Sequence, residues 1–402
     1  YEGDYILKRF SKLVSIEKNK SNFDTFLEED LSKLKPFYIT NKLIFLFKYA
    51  YNNSDFYKKI YSKVLENNGI SDINEINESN FFSIFYQLPL INKDDIYEHS
   101  LTGDKGILTS YQNCYVFSTG GTTGKHKYVA YSFDEFEKIT YYLSQIYFLA
   151  GISKDDVVAN LFMSGNLWTS FIAVNKALEA LGCIILPISG NTNIELIIEY
   201  LSVLKPNVIL GIPTQIIEIA KYIEQNNLDI SIEKIFYGGE VLYDNQREYL
   251  KKVLKTKLIR SAGYASVDAG PIAYQCKYLT GNQHHILTNY QFVEIIDPDT
   301  NKIINFDSDE IGEIVVTNLE RFLMPVIRYK TGDLGRWISN ECKCLRSSYI
   351  IELLGRFDDW IRLASYDFYY QDFINALETI EYLEPFVQLK ISRKEYYLQI
   401  FI

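Results

Sequence analysis

A chain of 402 residues, 47% of them hydrophobic, has room for a large core and for more than one domain. A formal net charge of −10 and a pI near 5.1 exclude the basic face that a nucleic-acid partner would need. Five cysteines, an odd number in a long chain, fit a reducing, cytoplasmic setting better than a disulfide framework, and the N-terminal stretch shows no secretion-signal pattern.

Residues 1 to about 110 predict a mainly helical segment. Leu43, Phe45, Leu46 and Tyr49, then Tyr57, Ile60, Tyr61, Val64 and Leu65, recur at three- and four-residue spacings, as buried helix faces do. Asn52-Asn53-Ser54-Asp55 separates the two helices with capping residues. Ser71 and Ser79 read as further N-caps, and Asn92-Lys93-Asp94-Asp95, after Pro89-Leu90-Ile91, reads as another helix start.

The apolar run Tyr115-Val116-Phe117 leads into Ser118-Thr119-Gly120-Gly121-Thr122-Thr123-Gly124-Lys125-His126-Lys127. Glycines permit positive φ, so successive N–H groups can turn toward one centre; hydroxyls and a lysine sharpen such a row of donors for phosphate. This is not a Walker A loop, because Thr119 stands where the first glycine belongs and His126 where the Ser/Thr belongs. A flexible polar hairpin is the bland alternative. Alone, the loop says phosphate, with nucleotide the first choice.

From here strand and helix alternate. The pattern predicts a helix from Ser132 to about Ala150, a strand over 157–162, a helix from Trp168 to Leu181 and a strand over 182–187. A helix over 194–204, a strand over 208–211, a helix from Thr214 and a strand with its loop over 235–240 follow. The longest apolar stretch, Phe171 to Ile188, is broken by Lys176 and Glu179, so no membrane span is expected. Continuous apolar strands between amphipathic helices predict a buried, largely parallel sheet with ligands beyond the carboxyl ends of its strands. Gly238-Gly239-Glu240 and Gly263-Tyr264 fall at such ends. After about residue 285 the chain turns strand-rich, predicting a smaller antiparallel sheet or barrel.

Four further segments line up with the loop: Tyr237-Gly238-Gly239-Glu240, Gly263-Tyr264-Ala265-Ser266-Val267-Asp268-Ala269-Gly270-Pro271, Arg328-Tyr329-Lys330-Thr331-Gly332-Asp333, and Leu354-Gly355-Arg356-Phe357-Asp358-Asp359. In this order they resemble the adenylate-forming superfamily of acyl-CoA synthetases, adenylation domains and luciferases. Within it the chain is most similar to the phenylacetate–coenzyme A ligase branch. The resemblance runs from about Leu31 to about Asp372, through Asn53-Ser54-Asp55-Phe56-Tyr57 and Leu88-Pro89-Leu90.

The resemblance implies an α/β fold. A large domain over 1–353 would hold mixed and parallel sheets flanked by helices, plus a small β-rich subdomain. Residues 354–402 would begin an α+β lid domain, shortened or incomplete. The implied reaction is ATP-dependent activation of a carboxylic acid to an acyl-adenylate with release of pyrophosphate, then transfer to a thiol of coenzyme A or a carrier protein. Ser118, Thr119, Gly120, Gly121, Thr122, Thr123, Gly124 and Lys125 would hold the β- and γ-phosphates. Gly238, Gly239 and Glu240 would border adenine, and Tyr264, with Ala265 beside it, would flank the base. Asp333 would take both ribose hydroxyls, Arg356 would reach ribose or phosphate, Asp268 would bind Mg²⁺ and Asp358 would be the hinge. Lys125, Asp268 and Arg356 would then stand closest to the chemistry, which needs positioning and charge neutralisation more than a protein nucleophile. Cys114, Ser118 and His126 need no nucleophilic role.

An aryl or small apolar acid would lie against Met163, Gly165 and Trp168, with Ile212, Pro213 and Gly263 opposite. Simple packing of Leu167 and Trp168 on the sheet is an equal alternative. Related ligases further imply that Cys276, His285, Cys342 and Cys344 form a tetrahedral structural Zn²⁺ site; ordinary buried cysteines and a loop histidine are the alternative. Val267 replaces a usual Thr/Ser, Asp268 a usual Glu, and Ser365 a glycine near the expected pantetheine path. These departures keep a second class open: a degenerate relative that binds an adenylate or acid without turnover, or an acyl-activating partner of another enzyme. A homodimer is compatible with either.

Overall fold

The computed structural model describes residues 35–101, 106–119, 126–338, 341–344, 346 and 348–357, with four further strands between 360 and 401. Gly120 to Lys125, Asp358, Ser365 and Asp372 lie outside the described residues.

Two helices, Lys35–Asn53 and Asp55–Asn67, open the described chain, divided at Ser54 as the capping residues predict. The Ser54 hydroxyl donates to the Gly106 carbonyl at 2.6 Å, and its oxygen accepts from Tyr57 N. Leu43, Leu46, Phe47, Tyr57, Tyr61 and Leu65 are buried, with the Phe47 and Tyr61 rings stacked at 5.2 Å. Ser71 and Ser79 are not caps. Asp72, a stronger acceptor one residue on, takes Asn74 N at 2.9 Å and closes a capping box, and Asn80 is the residue that precedes helix Phe81–Phe85. Asn92 does open helix Lys93–His99.

Strands β1 (Cys114–Ser118) and β2 (Tyr128–Ser132) form an antiparallel ribbon in which Ser118 faces Tyr128. Helix Phe133–Ala150 follows, started by a Ser132–Glu135 capping box and ended at Gly151, whose φ of 116° suits glycine. β3 (Val157–Asn160), β4 (Ile184–Leu186), β5 (Val208–Gly211), β6 (Lys234–Tyr237) and β7 (Leu258–Ser261) form the expected parallel sheet in the order β4-β3-β5-β6-β7. Helices Ser170–Leu181, Ile194–Leu204, Pro213–Gln225 and Asp244–Leu254 connect its strands. The order reverses between β3 and β5, so a crevice opens beyond their carboxyl ends.

The antiparallel sheet is larger than expected and starts earlier. It has seven strands: β8 (Tyr264–Ser266), β9 (Gly270–Tyr274), β10 (Gln283–Ile286), β11 (Gln291–Ile296), β12 (Gly312–Asn318), β13 (Tyr329–Ile338) and β14 (Ile350–Arg356). Their order is β11-β12-β13-β14-β10-β9-β8. β15 (Trp360–Leu363) pairs with β16 (Tyr366–Tyr369), and β17 (Gln388–Ile391) with β18 (Leu398–Phe401). One buried cluster joins the N-terminal helices, helix Phe133–Ala150 and the antiparallel sheet; another lies under the parallel sheet around Ile209, Ile216 and Ile235. No helix among the described residues is long and apolar enough to cross a membrane.

Candidate active site

β1 ends at Ser118, and Thr119 N donates to Lys127 O at 3.0 Å, which closes the neck of the glycine-rich loop. His126 sits beside it, a ring nitrogen 3.3 Å from the Thr119 carbonyl. Lys127 joins the loop neck to the turn after β8 and to β13: its Nζ donates to Asp268 Oδ2 at 2.7 Å and to the Tyr329 hydroxyl at 3.0 Å. That hydroxyl donates to the same Oδ2 at 2.9 Å, and burial with the adjacent Asp268 charge keeps it protonated. The other Asp268 oxygen, Oδ1, is buried and has no partner among the described residues. A buried carboxylate oxygen without a donor is costly unless something fills the role. The hard oxygen donor fits Mg²⁺.

The nucleoside end is built on neighbouring strands. Asp333 on β13 and Arg356 on β14 are register partners, and Arg356 Nη1 donates to Asp333 Oδ1 at 2.9 Å. The Tyr264 hydroxyl donates to Asp333 Oδ2 at 2.6 Å. Each carboxylate oxygen keeps a further lone pair for a ribose hydroxyl. Burial raises the Asp333 carboxyl above its ordinary range, and Arg356 opposes that shift. Gly332, at φ 76°, leaves room here, since a Cβ would stand 3.1 Å from Arg356 Nη2. Thus β8 and its following turn face β13 twice, at Tyr264–Asp333 and at Asp268–Tyr329. Hydrogen bonds along β8 and β13 thus bring the loop neck, Asp268 and Asp333 into one neighbourhood.

Gly238 and Gly239 follow β6, with Gly239 at φ 82°. Glu240 is committed to the start of helix Pro213–Gln225, where its Oε2 accepts from Thr214 N at 2.9 Å and from the Thr214 hydroxyl at 2.5 Å. This ties the 238–240 loop to Ile212 and Pro213. A Cβ on Gly238 would lie 3.5 Å from the Phe162 ring and 3.8 Å from Ala262; one on Gly239 would lie 3.5 Å from Ile212. Phe162, Ile212 and Ala262 therefore pack closely around the 238–239 loop. Gly263 needs its φ of 116°, and its Cβ position is closed by the Ala273 carbonyl at 3.2 Å.

The segment expected to line the acyl pocket is wound tightly. Gly165, Asn166 and Leu167 take φ values of 79°, 48° and 58° in succession. A leucine there is strained. Leu167 O accepts from Ser118 N at 2.9 Å, so the segment is fastened to the root of the glycine-rich loop. Ser164 is held by Ser189 and Asn191. Met163 and Trp168 are half-buried, Gly165 and Ala265 exposed.

On the antiparallel sheet, Cys276, His285, Cys342 and Cys344 bring their ligand atoms within 4.8 Å of one another. Cys276 and Cys342 sulfurs are 3.6 Å apart, and Cys344 Sγ is 3.2 Å from His285 Nε2. The far ring nitrogen, His285 Nδ1, is 3.0 Å from the Ser348 hydroxyl, leaving Nε2 for a metal. Three sulfurs and one imidazole nitrogen suit tetrahedral Zn²⁺. His284, one residue away, is not in the group; its Nδ1 lies 2.9 Å from the Asn282 carbonyl, and burial holds the ring down at about 4.

Lys127 and Phe162 had no signal in the sequence beyond their segments. Their partners lie far along the chain, 141 positions away for Lys127 and Asp268.

No family model matches the chain. It is 26% identical over 247 residues to phenylacetate–coenzyme A ligase of Pseudomonas putida, covering 61% of this chain and 55% of that enzyme. It is 24% identical over 312 residues to the Thermus thermophilus ligase of the same name, covering 77% and 69%. The chain thus spans about half the length of the first relative and about two thirds of the second. Among solved structures, 2-hydroxyisobutyryl-CoA ligase in its postadenylation state with 2-HIB-AMP superposes with a TM-score of 0.76 at 18% identity, over 90% of this chain and 76% of that one. That likeness shows the fold. In sequence the chain is thus similar to the phenylacetate–coenzyme A ligases, and in fold to 2-hydroxyisobutyryl-CoA ligase.

Proposed function

We propose that this chain activates a carboxylic acid with ATP, forming an acyl-adenylate and pyrophosphate, and passes the acyl group to a thiol, with coenzyme A the first acceptor to test. A carrier protein or a partner enzyme is the next. The observation that carries this is one hydrogen-bonded arrangement along β8 and β13: a loop neck and Asp268 at one end, a half-buried Asp333 at the other. A nucleotide lying between them presents its α-phosphorus in the middle, where a carboxylate oxygen can attack in line as the phosphorus–oxygen bond to pyrophosphate breaks.

Each residue's part follows from its place. The loop with Lys125 holds the β- and γ-phosphates. Lys127 neutralises charge at the loop neck and holds Asp268. Mg²⁺, bound through Asp268, would neutralise phosphate charge. Asp333 fixes the ribose, with Tyr264 behind it and Arg356 beside it. The acid, aryl or short and apolar, lies against Phe162, Met163, Gly165 and Trp168, with Ile212, Pro213 and Gly263 opposite. Gly238, Gly239 and Glu240 border the base. Residues 354–402 begin the small lid domain, with Asp358 as its hinge; β14, ending at Arg356, is the last strand of the seven-stranded sheet. The Cys276–His285–Cys342–Cys344 group holds Zn²⁺ structurally. All five cysteines are free, which supports a cytoplasmic setting.

Binding of an adenylate without turnover is the second reading, favoured by Val267, which offers no hydroxyl to phosphate, and by Ser365. Pyrophosphate release from ATP and Mg²⁺, screened over aryl and short apolar acids, separates the two. Acid-dependent pyrophosphate is expected. Affinity for ATP with no acid turned over would favour the second reading, and no affinity for ATP would overturn both.

A further inference from the structure

Arg321 is the largest of the fully buried side chains, at 0% exposure. It lies between β12 and β13, and among the described residues no carboxylate bonds its guanidinium. Its partners are two backbone carbonyls and a ring: Nη1 donates to Asp268 O at 2.9 Å, Nη2 to Ala130 O at 2.8 Å, and the guanidinium stacks 3.5 Å over Tyr131. A buried cation satisfied only by carbonyl dipoles and a π face is costly to keep. Here it bears on the backbone of the one carboxylate that joins the loop neck to β13.

The same turn is gripped on every side. The Tyr131 hydroxyl donates to Val267 O at 2.6 Å. Asn318 Nδ2 donates to Ala269 O at 2.6 Å, and Gln291 Nε2 donates to Ala269 O and Pro271 O at 2.8 and 2.9 Å. A surface turn needs none of this; a turn that must present one oxygen at a fixed point does. Valine at 267 leaves Asp268 as that point.

We propose that Arg321 is a positioning residue for the divalent cation that accompanies ATP: it holds the Asp268 carbonyl while Tyr131 holds the Val267 carbonyl, fixing the peptides on both sides of Asp268 so that its carboxylate keeps Oδ2 on Lys127 and Tyr329 and offers its unpartnered Oδ1 to the metal. This rests on the ATP-dependent function above. Arg321 never touches the nucleotide, and its effect reaches the metal only through the backbone of Asp268.

The test reads metal affinity directly. Mn²⁺ is titrated into the full chain with a non-hydrolysable ATP analogue and free Mn²⁺ is followed by electron paramagnetic resonance. In Arg321→Met, Mn²⁺ affinity should fall by roughly 10- to 100-fold, the range for losing a partner behind a metal ligand. Affinity for the analogue in EDTA should stay near wild type, which general loosening of the site would not allow. Arg321→Lys, with its charge and one donor restored, should recover part of the loss, and Tyr131→Phe should show a smaller one. Should Arg321→Met fail to fold, the other two variants decide. Wild-type Mn²⁺ affinity in folded variants overturns the proposal alone. A wild-type chain that binds no nucleotide overturns the function and this proposal with it.

Discussion

At the scale of single residues, Asp333 carries the clearest consequence. Its carboxyl is raised above the ordinary 3.8, first by burial, with Arg356 opposing. Accepting two ribose hydroxyls needs the ionised form. Nucleotide affinity should therefore climb as pH rises through the raised pKa and level off above it. The stability of the empty protein should move the other way. A carboxyl whose folded pKa exceeds its unfolded one favours the fold while protonated, and that contribution fades as pH rises through the folded value. Calorimetric titration of ATP at a series of pH values checks the first point. Asp333→Asn should flatten the profile, and Asp333→Ala should cost about 1–3 kcal/mol of binding at neutral pH. An unchanged slope in Asp333→Asn would assign the titration to another group. Asp333, Arg356 and Asp268 were legible because they stand in short ordered motifs. Lys127, in the same loop, was not: its meaning comes from Asp268 and Tyr329, and no local pattern states a contact between positions so distant.

At the scale of elements, the β13–β14 hairpin links two sites. Asp333 and Arg356 pair at its open end, and Cys342 and Cys344 lie in the connection at the other. Zn²⁺ there would pin the hairpin to Cys276 after β9 and to His285 on β10. Metal analysis of the purified chain should find one zinc, and Cys342→Ser or Cys344→Ser should lose it. Zinc-finger peptides gain roughly 10–16 kcal/mol from the metal. A small part of that lowers the melting temperature by more than about 5 °C. A chain free of zinc that melts like wild type would remove the structural role. The parallel sheet could be read from its sequence because each strand is a short apolar run between amphipathic helices. β8, β9 and β10 could not, since three to five residues containing Gly270, Pro271 and the pair His284-His285 show no alternation. Nor could the left-handed run at Gly165–Leu167, because leucine gives no warning of positive φ.

At the scale of the whole molecule, one buried ion pair fastens the N-terminal helical layer to the antiparallel sheet. Arg328, itself left-handed at φ 51°, donates through Nη2 to Glu294 Oε1 at 2.9 Å and through Nε to Oε2 at 3.2 Å. Its Nη1 donates to the Leu88 and Tyr86 carbonyls at 2.8 and 3.0 Å, and Ile91 forms a parallel bridge beside it. The pair is 4% and 3% exposed, so little solvent screens it. Burial raises the Glu294 carboxyl, and Arg328 works against that shift. The sequence offered Arg328 only as the first residue of a nucleotide-site motif; its work is to hold β13 where the next residue, Tyr329, meets Asp268 and Lys127. Glu294→Gln keeps the shape and strands the guanidinium charge, so it should cost about 3–5 kcal/mol, as removal of one member of a buried pair does. Arg328→Met should cost as much, and the double variant less than the two together, because it leaves no charge unpaired. Urea denaturation of the four proteins measures this, and a loss below about 1 kcal/mol in either single variant would mean that the layer is held elsewhere. If the knot does hold it, Glu294→Gln should also weaken ATP binding even though Glu294 lies outside the site, since Tyr329 rides on the residue that Glu294 anchors.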